Sequence, residues 1–292
     1  MKRPAVLFAL VIAGCAAKPS SDPTSPVGSS SSGPAESTGA ETSGAMSSSG
    51  TAAESSSGSP ERSSSSGDGS SSSSGQSACA PVPPSCNPAK PSTRIEVTTT
   101  DAAPYLVRYP SDSSTPADVV LFMPGGPGAA AQAPITFDLW LSQGEGIDSF
   151  IVVMPYSASG NLPGEPEHVF DVLDEVLSCT CNTGRVHLGG TSNGGRLAYQ
   201  LALEQPDRFV TLLGAPGVFA NPDPKSLAAL EGKRVFNAVG ELDTAWQEGV
   251  AASHQALLDA GIDSTLFEMP GQDHILSKDF DESVFFAFWS ER

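Results

Sequence analysis

The sequence has few basic side chains. Its 292 residues carry 15 Lys and Arg against 33 Asp and Glu, so the formal net charge is −18. A charge of this sign repels polyanions, which argues against nucleic acid as a partner and against binding to anionic lipid by charge. Attachment to a membrane would therefore need another source of affinity.

The amino-terminal region lacks an apolar run long enough to cross a bilayer. Basic Lys2 and Arg3 precede the almost wholly apolar stretch Ala5–Ile12, which is far shorter than the roughly 20 residues of a membrane-spanning helix. A basic start, a short apolar stretch and small residues before a cysteine are typical of an export signal. We expect residues 1–14 to be a signal peptide.

The stretch Ile12–Cys15 resembles the end of a bacterial lipoprotein signal. The resemblance implies that the Cys15 sulfur carries lipid, that Cys15 becomes the mature amino terminus, and that the lipid anchors the protein to a membrane. Ordinary secretory cleavage near Ala16 and Ala17 is the alternative. Ala16 is not acidic, whereas an acidic residue there often retains such proteins at an inner membrane. An outer membrane or the cell surface is therefore favoured.

Aliphatic side chains are almost missing from residues 15–78, which consist largely of Ser, Gly, Pro, Thr and Ala. So little apolar surface cannot offset the entropy lost on ordering, and we expect a disordered tether. A flexible tract of about 60 residues has a root-mean-square span on the order of 40 Å, which would hold a folded domain clear of a membrane.

Cysteine is scarce, with five in the chain. With Cys15 assigned to lipid, Cys79, Cys86, Cys179 and Cys181 remain in an oxidising setting, which favours two disulfides. A Cys179–Cys181 bridge would close a strained loop, so pairing each with Cys79 or Cys86 is favoured, and the choice between those pairings stays open. A zinc site is the alternative, but its ligand spacing is missing, so we expect no metal.

The chain from Cys79 onward is long enough for one well-buried core and too short for two large domains, so we expect one domain over residues 79–292. Several strand-like runs in it are apolar throughout, which suits strands covered on both faces, and helical patterns separate the later runs. The pattern predicts an α/β fold: a mainly parallel sheet with helices on both faces. The runs are Tyr105–Tyr109, Val119–Met123, Phe150–Met154, Val186–Leu188, Phe209–Leu213, Val235–Val239 and Thr265–Met269.

Three segments have apolar residues at helical spacing. One begins near Pro166, a second follows Gly194 and ends at Pro206, and a third runs from about Thr244 to Ala260. We therefore expect a helix before the run Val186–Leu188 and another directly after it.

The motif Gly190-Thr191-Ser192-Asn193-Gly194 lies between the apolar run Arg185–Gly189 and a helical pattern. A serine on a tight turn between a strand and a helix is the setting of a nucleophile elbow. The turn strains the serine backbone, and glycines two residues on either side let strand, helix and substrate approach it. Ser192 is therefore the candidate nucleophile.

The segment Arg185–Arg196 is similar to the elbow of α/β-hydrolases, and closest to their esterase, polyhydroxyalkanoate-depolymerase and feruloyl-esterase-like branches. The resemblance extends from about Thr93 to the end of the chain. It implies the α/β-hydrolase fold and hydrolysis of carboxylic esters through an acyl-enzyme on Ser192. It also implies that neither a metal nor an organic cofactor is needed.

In this family the catalytic acid follows a late strand of the sheet, and the catalytic base follows the last strand. Asp243 comes shortly after Val235–Val239 and is the candidate acid, with Glu241 in reserve, while a helix N-cap is the alternative role for Asp243. His274 follows Thr265–Met269 and is the candidate general base. The other three histidines fall within helical or strand segments and are interpreted as structural or exposed: His168, His187 and His254.

Acyl transfer requires two backbone N–H donors aimed at one oxyanion. One donor is expected from Asn193, the residue after the nucleophile. The other is expected from a glycine-rich loop, where Gly126 is chosen because Pro127 has no N–H, and Gly125 is the alternative. The family usually opens this loop with a histidine, and Pro124 replaces it here, so the loop conformation is open.

Few residues separate Phe209–Leu213 from Val235–Val239, and the prolines among them disfavour a long helix. A helical cap therefore has little room, so we expect an open, shallow site suited to bulky or polymeric esters outside the cell.

The stretch Gly125–Gly128 also resembles a loop of proline-iminopeptidase-like hydrolases, so a peptidase is an alternative. A non-catalytic surface display or binding protein is a further alternative. Nothing in the sequence indicates an oligomeric state.

Overall fold

The structure is a computed structural model that describes Cys79, Cys86, Lys90 and residues 92–99, 103–220 and 222–291. The predicted signal peptide over residues 1–14, the lipid attachment at Cys15 and the tether as far as residue 78 lie outside the described residues. Within the described ranges, none of the helices combines the length and the apolar character needed to traverse a bilayer.

Within the described residues, eight strands form one sheet. In chain order they are β1 (Arg94–Thr98), β2 (Pro104–Arg108), β3 (Ala117–Met123), β4 (Phe150–Pro155), β5 (Asn182–Gly190), β6 (Thr211–Gly214), β7 (Arg234–Gly240) and β8 (Asp263–Met269). Their spatial order is β1-β2-β4-β3-β5-β6-β7-β8. β2 pairs antiparallel with both β1 and β4, and every other neighbouring pair is parallel. The predicted mainly parallel sheet is confirmed, and each predicted run overlaps a strand.

The described residues form six α-helices, of which the first five lie between strands and the last follows β8. They are α1 (Ala133–Trp140), α2 (Pro166–Cys179), α3 (Asn193–Glu204), α4 (Pro224–Leu227), α5 (Thr244–Asp259) and α6 (Ser283–Ser290). The three predicted helices correspond to α2, α3 and α5. Helices α1 and α6 were not predicted, because their sequences are apolar almost throughout and so lack a one-sided pattern.

Side chains of β3 alternate between two apolar cores on opposite faces of the sheet. Leu121 packs in one core with α2, α3 and α5, and Phe122 packs in the other with α1 and α6. Both side chains are fully buried, and burial of one such side chain stabilises a fold by about 1.5–3 kcal/mol. Helices thus cover both faces, as predicted.

The connection between β6 and β7 is short. Its described residues form only the four-residue helix α4 and the 3₁₀ turn Ala228–Leu230. No inserted helical cap is present among these residues. The prolines in this connection predicted that no long helix would form, and its described residues contain none.

Two disulfides join the segment before β1 to the last residue of α2 and to the turn that follows it. Cys79 pairs with Cys181 and Cys86 with Cys179, at Cα–Cα distances of 5.2 and 5.4 Å. Both bridges follow the favoured pattern, and the structure selects one of the two pairings that the sequence left open. Disulfides of this kind are typical of exported proteins.

Glu282 links α6 to the loop after α1. Its side chain is 2 % exposed, and its Oε2 accepts a hydrogen bond from the Gln143 N–H at 2.8 Å. Next to it, the Glu145 N–H donates to the Ser283 Oγ at 2.6 Å. Burial raises the pKa of Glu282 to about 7, although the Gln143 N–H opposes this shift.

We expect more than half of the disulfide stabilisation to survive the loss of one bridge. The bridged cysteines are 102 and 93 residues apart, so the two bridges close almost the same loop. Reduction of both should lower the free energy of unfolding by about 4 kcal/mol, whereas the variant C79S/C181S should lose less than about 2 kcal/mol. Urea denaturation measures both quantities, and equal losses in the two samples would contradict this account.

The raised pKa of Glu282 predicts a pH effect on stability. A carboxyl whose pKa rises on folding contributes stability below its unfolded pKa, and this contribution is lost as pH rises through its folded pKa. The unfolding free energy should therefore contain a component that falls between about pH 4.5 and about pH 7. Glu282→Gln should remove that component, whereas Glu268→Gln, at an exposed position of β8, should keep it. An unchanged pH slope in Glu282→Gln would refute the assignment.

Candidate active site

Ser192 lies at the turn between β5 and α3, in a strained backbone conformation. Its φ is 59° and its ψ is −123°, a region that costs a residue other than glycine about 1–3 kcal/mol. The Ser192 N–H donates to the Pro216 carbonyl at 2.8 Å, and the Ser192 carbonyl accepts from the Arg196 N–H at 3.1 Å. These two hydrogen bonds hold the strained turn from both sides.

Glycines let the elbow approach its neighbours. A Cβ at Gly194 would overlap the carbonyl oxygens of Met123 and Pro124, where β3 ends, and a Cβ at Gly195 would overlap the Pro216 carbonyl. A Cβ at Gly190 would likewise overlap the backbone of the first turn of α3. The need for Gly190 and Gly194 was predicted, whereas the need for Gly195 was missed.

The structure brings Ser192, Asp243 and His274 together. The His274 Nδ1 lies 2.7 Å from the Asp243 Oδ2, and its Nε2 lies 3.0 Å from the Ser192 Oγ. The three residues follow β5, β7 and β8, and parallel strands present their carboxyl ends at one edge of a sheet. The imidazole can therefore hydrogen-bond the hydroxyl and the carboxylate at the same time.

Asp243 is 3 % exposed and occupies the N-cap position of α5, but its side chain makes no capping hydrogen bond. The carboxylate faces His274 instead. The alternative role considered from the sequence, a side-chain cap on the helix, is therefore not the role of Asp243. Glu241, the reserve candidate, has a different partner: its Oε2 accepts a hydrogen bond from the Gly271 N–H at 2.7 Å. That bond fixes the start of the loop that carries His274.

The glycine-rich loop after β3 lies against the nucleophile. A Cβ at Gly125 would be 3.4 Å from the Ser192 Cβ, and Gly126 has a φ of 62°. The Gln132 side chain lies beside Gly126, and its Oε1 accepts a hydrogen bond from the Ala129 N–H at 3.3 Å. Gln132 thus braces the loop, and no pattern in the sequence predicts this role.

Asn193 is the first residue of α3. An N–H in the first turn of a helix has no carbonyl acceptor within that helix, so it is available to an external anion. Asn193 follows Ser192 directly, and the loop that contains Gly126 packs against Ser192. Both predicted donor residues therefore belong to segments that adjoin the nucleophile.

A cation and an aromatic ring stack beside His274. The Trp246 ring lies 5.5 Å from the imidazole centroid with an interplanar angle of 25°. The Arg196 guanidinium lies 4.5 Å from the Trp246 centroid. The sequence analysis did not predict this contact. The one feature that pointed to it was the aromatic Trp246 in the first turn of α5, directly after the candidate acid.

The remaining histidines are hydrogen-bonded elsewhere in the fold. His187 is fully buried, with Nδ1 at 2.9 Å from the Thr211 Oγ1 and Nε2 at 3.2 Å from an Asp118 oxygen. His254 lies 2.8 Å from the Ser264 Oγ, and His168 makes a longer contact to a backbone carbonyl. In the part of the chain that the structure covers, no group of three or more His, Cys, Asp or Glu side chains could hold a metal ion.

Comparisons with solved structures find similar folds at low sequence identity. A thermostable esterase matches with a TM-score of 0.53 and 15% identity, over 68% of this chain and 63% of that one. A predicted CIB-like hydrolase from Thermoplasma acidophilum matches with a TM-score of 0.51 and 14% identity, over 68% of this chain and 98% of that one. An arylesterase matches with a TM-score of 0.50 and 14% identity, over 71% of this chain and 84% of that one. No family model and no curated protein matches this chain. Together with the strand order, these likenesses show that the chain has the α/β-hydrolase fold.

The elbow geometry predicts that two helical glycines respond differently to alanine. Gly195→Ala would place its Cβ against the Pro216 carbonyl and 2.8 Å from the Gly217 Cα, so it should lower the free energy of unfolding by about 2 kcal/mol or more. Gly249→Ala, in α5, meets only a Val218 methyl group at 3.3 Å and gains about 1 kcal/mol of helix propensity, so it should not lower stability. Urea denaturation tests both, and a fully stable Gly195→Ala would contradict the close contact.

Proposed function

We propose that this protein is a serine hydrolase that cleaves carboxylic esters through an acyl-enzyme on Ser192. The continuous hydrogen-bond chain from Asp243 through His274 to Ser192 carries the proposal, with distances of 2.7 and 3.0 Å. A buried carboxylate can hold the imidazole tautomer that leaves Nε2 free to accept a proton. The strained elbow supports the same role, because it exposes the hydroxyl at the end of a strand.

In the first half of the proposed reaction, the Ser192 Oγ attacks the ester carbonyl carbon while His274 Nε2 takes its proton. A carbon–oxygen bond forms, and the carbonyl π electrons move to the oxygen. Asp243 stabilises the imidazolium. The tetrahedral intermediate then breaks its bond to the alcohol, which leaves with the proton from His274, and the acyl group stays on Ser192.

In the second half, water attacks the acyl-enzyme and gives a proton to His274. The bond to the Ser192 Oγ breaks, the proton returns to that oxygen, and the carboxylic acid leaves. We propose the N–H groups of Asn193 and Gly126 as donors to the oxyanion in both halves, with Gly125 as the alternative to Gly126. The packing of the glycine-rich loop on Ser192 supports this assignment.

The proposed substrates are bulky or polymeric esters outside the cell. The short connection between β6 and β7, with only α4 and one 3₁₀ turn among its described residues, supports an open site. The two disulfides support an exported protein. Attachment to the outer membrane or cell surface by a lipid on Cys15 is part of the same proposal, and the signal-like amino terminus supports it.

Ser192→Ala tests the proposal. It should lower kcat for a chromogenic ester by roughly a thousandfold or more, because it removes the nucleophile and leaves the fold intact. Ser178→Ala, at an exposed serine in α2, is the matched control and should keep wild-type turnover and stability. Near wild-type turnover by Ser192→Ala would refute the assignment. If Ser192-dependent cleavage occurred with peptides and not with esters, the protein would instead be a peptidase.

A further inference from the structure

Arg196 differs from the other arginines that the structure describes. Each of those has a nitrogen within 4.0 Å of a carboxylate oxygen: Arg94, Arg108, Arg185, Arg208 and Arg234. Among the described residues, no ion pair to Arg196 is present, although the chain has more than twice as many acidic as basic side chains. Its charge is therefore left without a carboxylate partner beside the candidate nucleophile.

Two neutral contacts hold the Arg196 side chain. Its guanidinium stacks on Trp246 at 4.5 Å, and its Nη1 donates to the Asn193 Oδ1 at 3.3 Å. The side chain is nevertheless exposed. A guanidinium carries five N–H donors in a planar fork that matches a carboxylate. Most of these donors remain open to a ligand, and the stack limits the entropy lost when one binds.

A groove of about 640 Å³ extends from Arg196 along α3. Asn193 lines it close to the nucleophile, and Leu197, Leu203 and Phe219 give it apolar walls. Its volume is in the range of small-molecule sites. Glu204 also lines it but lies eight residues beyond Arg196, about 12 Å along the helix, and its Oε1 accepts a hydrogen bond from the Gln200 Nε2. The groove therefore offers a cation near the reaction centre and apolar surface beyond it.

We propose that Arg196 binds a free carboxylate on the substrate, so that the preferred substrates are esters that also carry a carboxylate group. This inference rests on the proposed ester hydrolysis. The substrate carboxylate lies against the open edge of the guanidinium in a charge-assisted, bidentate hydrogen bond. The chain between the carboxylate and the ester bond spans the single helical turn from Arg196 to Ser192, and a further apolar substituent of the substrate lies in the groove. Without Arg196, the carboxylates of Asp243 and Asp273, which are both hydrogen-bonded to His274, would repel such a substrate.

The test uses two esters with the same leaving group and chain length, one ending in a carboxylate and the other in the corresponding methyl ester. The measured quantity is the ratio of their kcat/KM values. Wild type should favour the carboxylate about tenfold or more. Arg196→Gln should abolish this preference, and Arg196→Lys should restore part of it because it keeps the charge without the planar fork.

Arg208→Gln is the matched control. Arg208 also lies over an aromatic ring, with its Cζ 5.5 Å from the Phe170 centroid, but it pairs with Asp174 beyond the carboxyl end of α3. This variant should keep the wild-type ratio. A purely structural effect of Arg196 on Trp246 and His274 would slow both esters alike and leave the ratio unchanged, which would overturn the inference.

Binding to Ser192→Ala separates this inference from the proposed function. Calorimetry with the two intact esters should give tighter binding of the carboxylate form, about tenfold or more, and the added Arg196→Gln change should remove the difference. Equal affinity for both esters would overturn the role of Arg196. If the preference were found while wild type hydrolysed neither ester, the carboxylate site would stand and the proposed ester hydrolysis would fail.

Discussion

The hydrogen bond from the Ser192 N–H to the Pro216 carbonyl, 2.8 Å long, holds the strained turn on which the rest of the site depends. A serine at a φ of 59° is unfavourable in isolation by about 1–3 kcal/mol, so the contacts around it must supply the difference. They do so because glycine at positions 194 and 195 lets α3 lie directly on the end of β3 and on the segment after β6. Larger residues there would separate these backbones and release the turn.

Parallel pairing explains why side chains far apart in sequence meet at this turn. Strands β5, β7 and β8 all run toward the same edge of the sheet, so the residues that follow them converge there. Two apolar cores, one on each face, keep the strands in register. The hydroxyl–imidazole–carboxylate chain thus requires little adjustment by the loops, and the buried Asp243 has its imidazole partner in place.

Much of this arrangement could be predicted from sequence, because the signals were local. The elbow glycines, the apolar strands and the positions of Asp243 and His274 after late strands led to the contacts that the structure contains. Long-range contacts left no such signal: the stack of Arg196 on Trp246 joins α3 to α5, and the disulfide pairing depends on where Cys79 and Cys86 lie in space. The edge strand β1, with its mixed burial, and the uniformly apolar α6 lacked the periodicity that identifies an element.

The proposed function requires the Ser192 hydroxyl to be nucleophilic in the folded protein. Reaction of the intact protein with a fluorophosphonate, followed by proteolysis and mass spectrometry, measures this directly, since such a probe forms a covalent bond with an activated serine. We expect one adduct, on the peptide that contains Ser192, and no adduct when the protein is denatured before it meets the probe. A folded protein that gains no adduct, or gains one on a different serine, would contradict the proposed function.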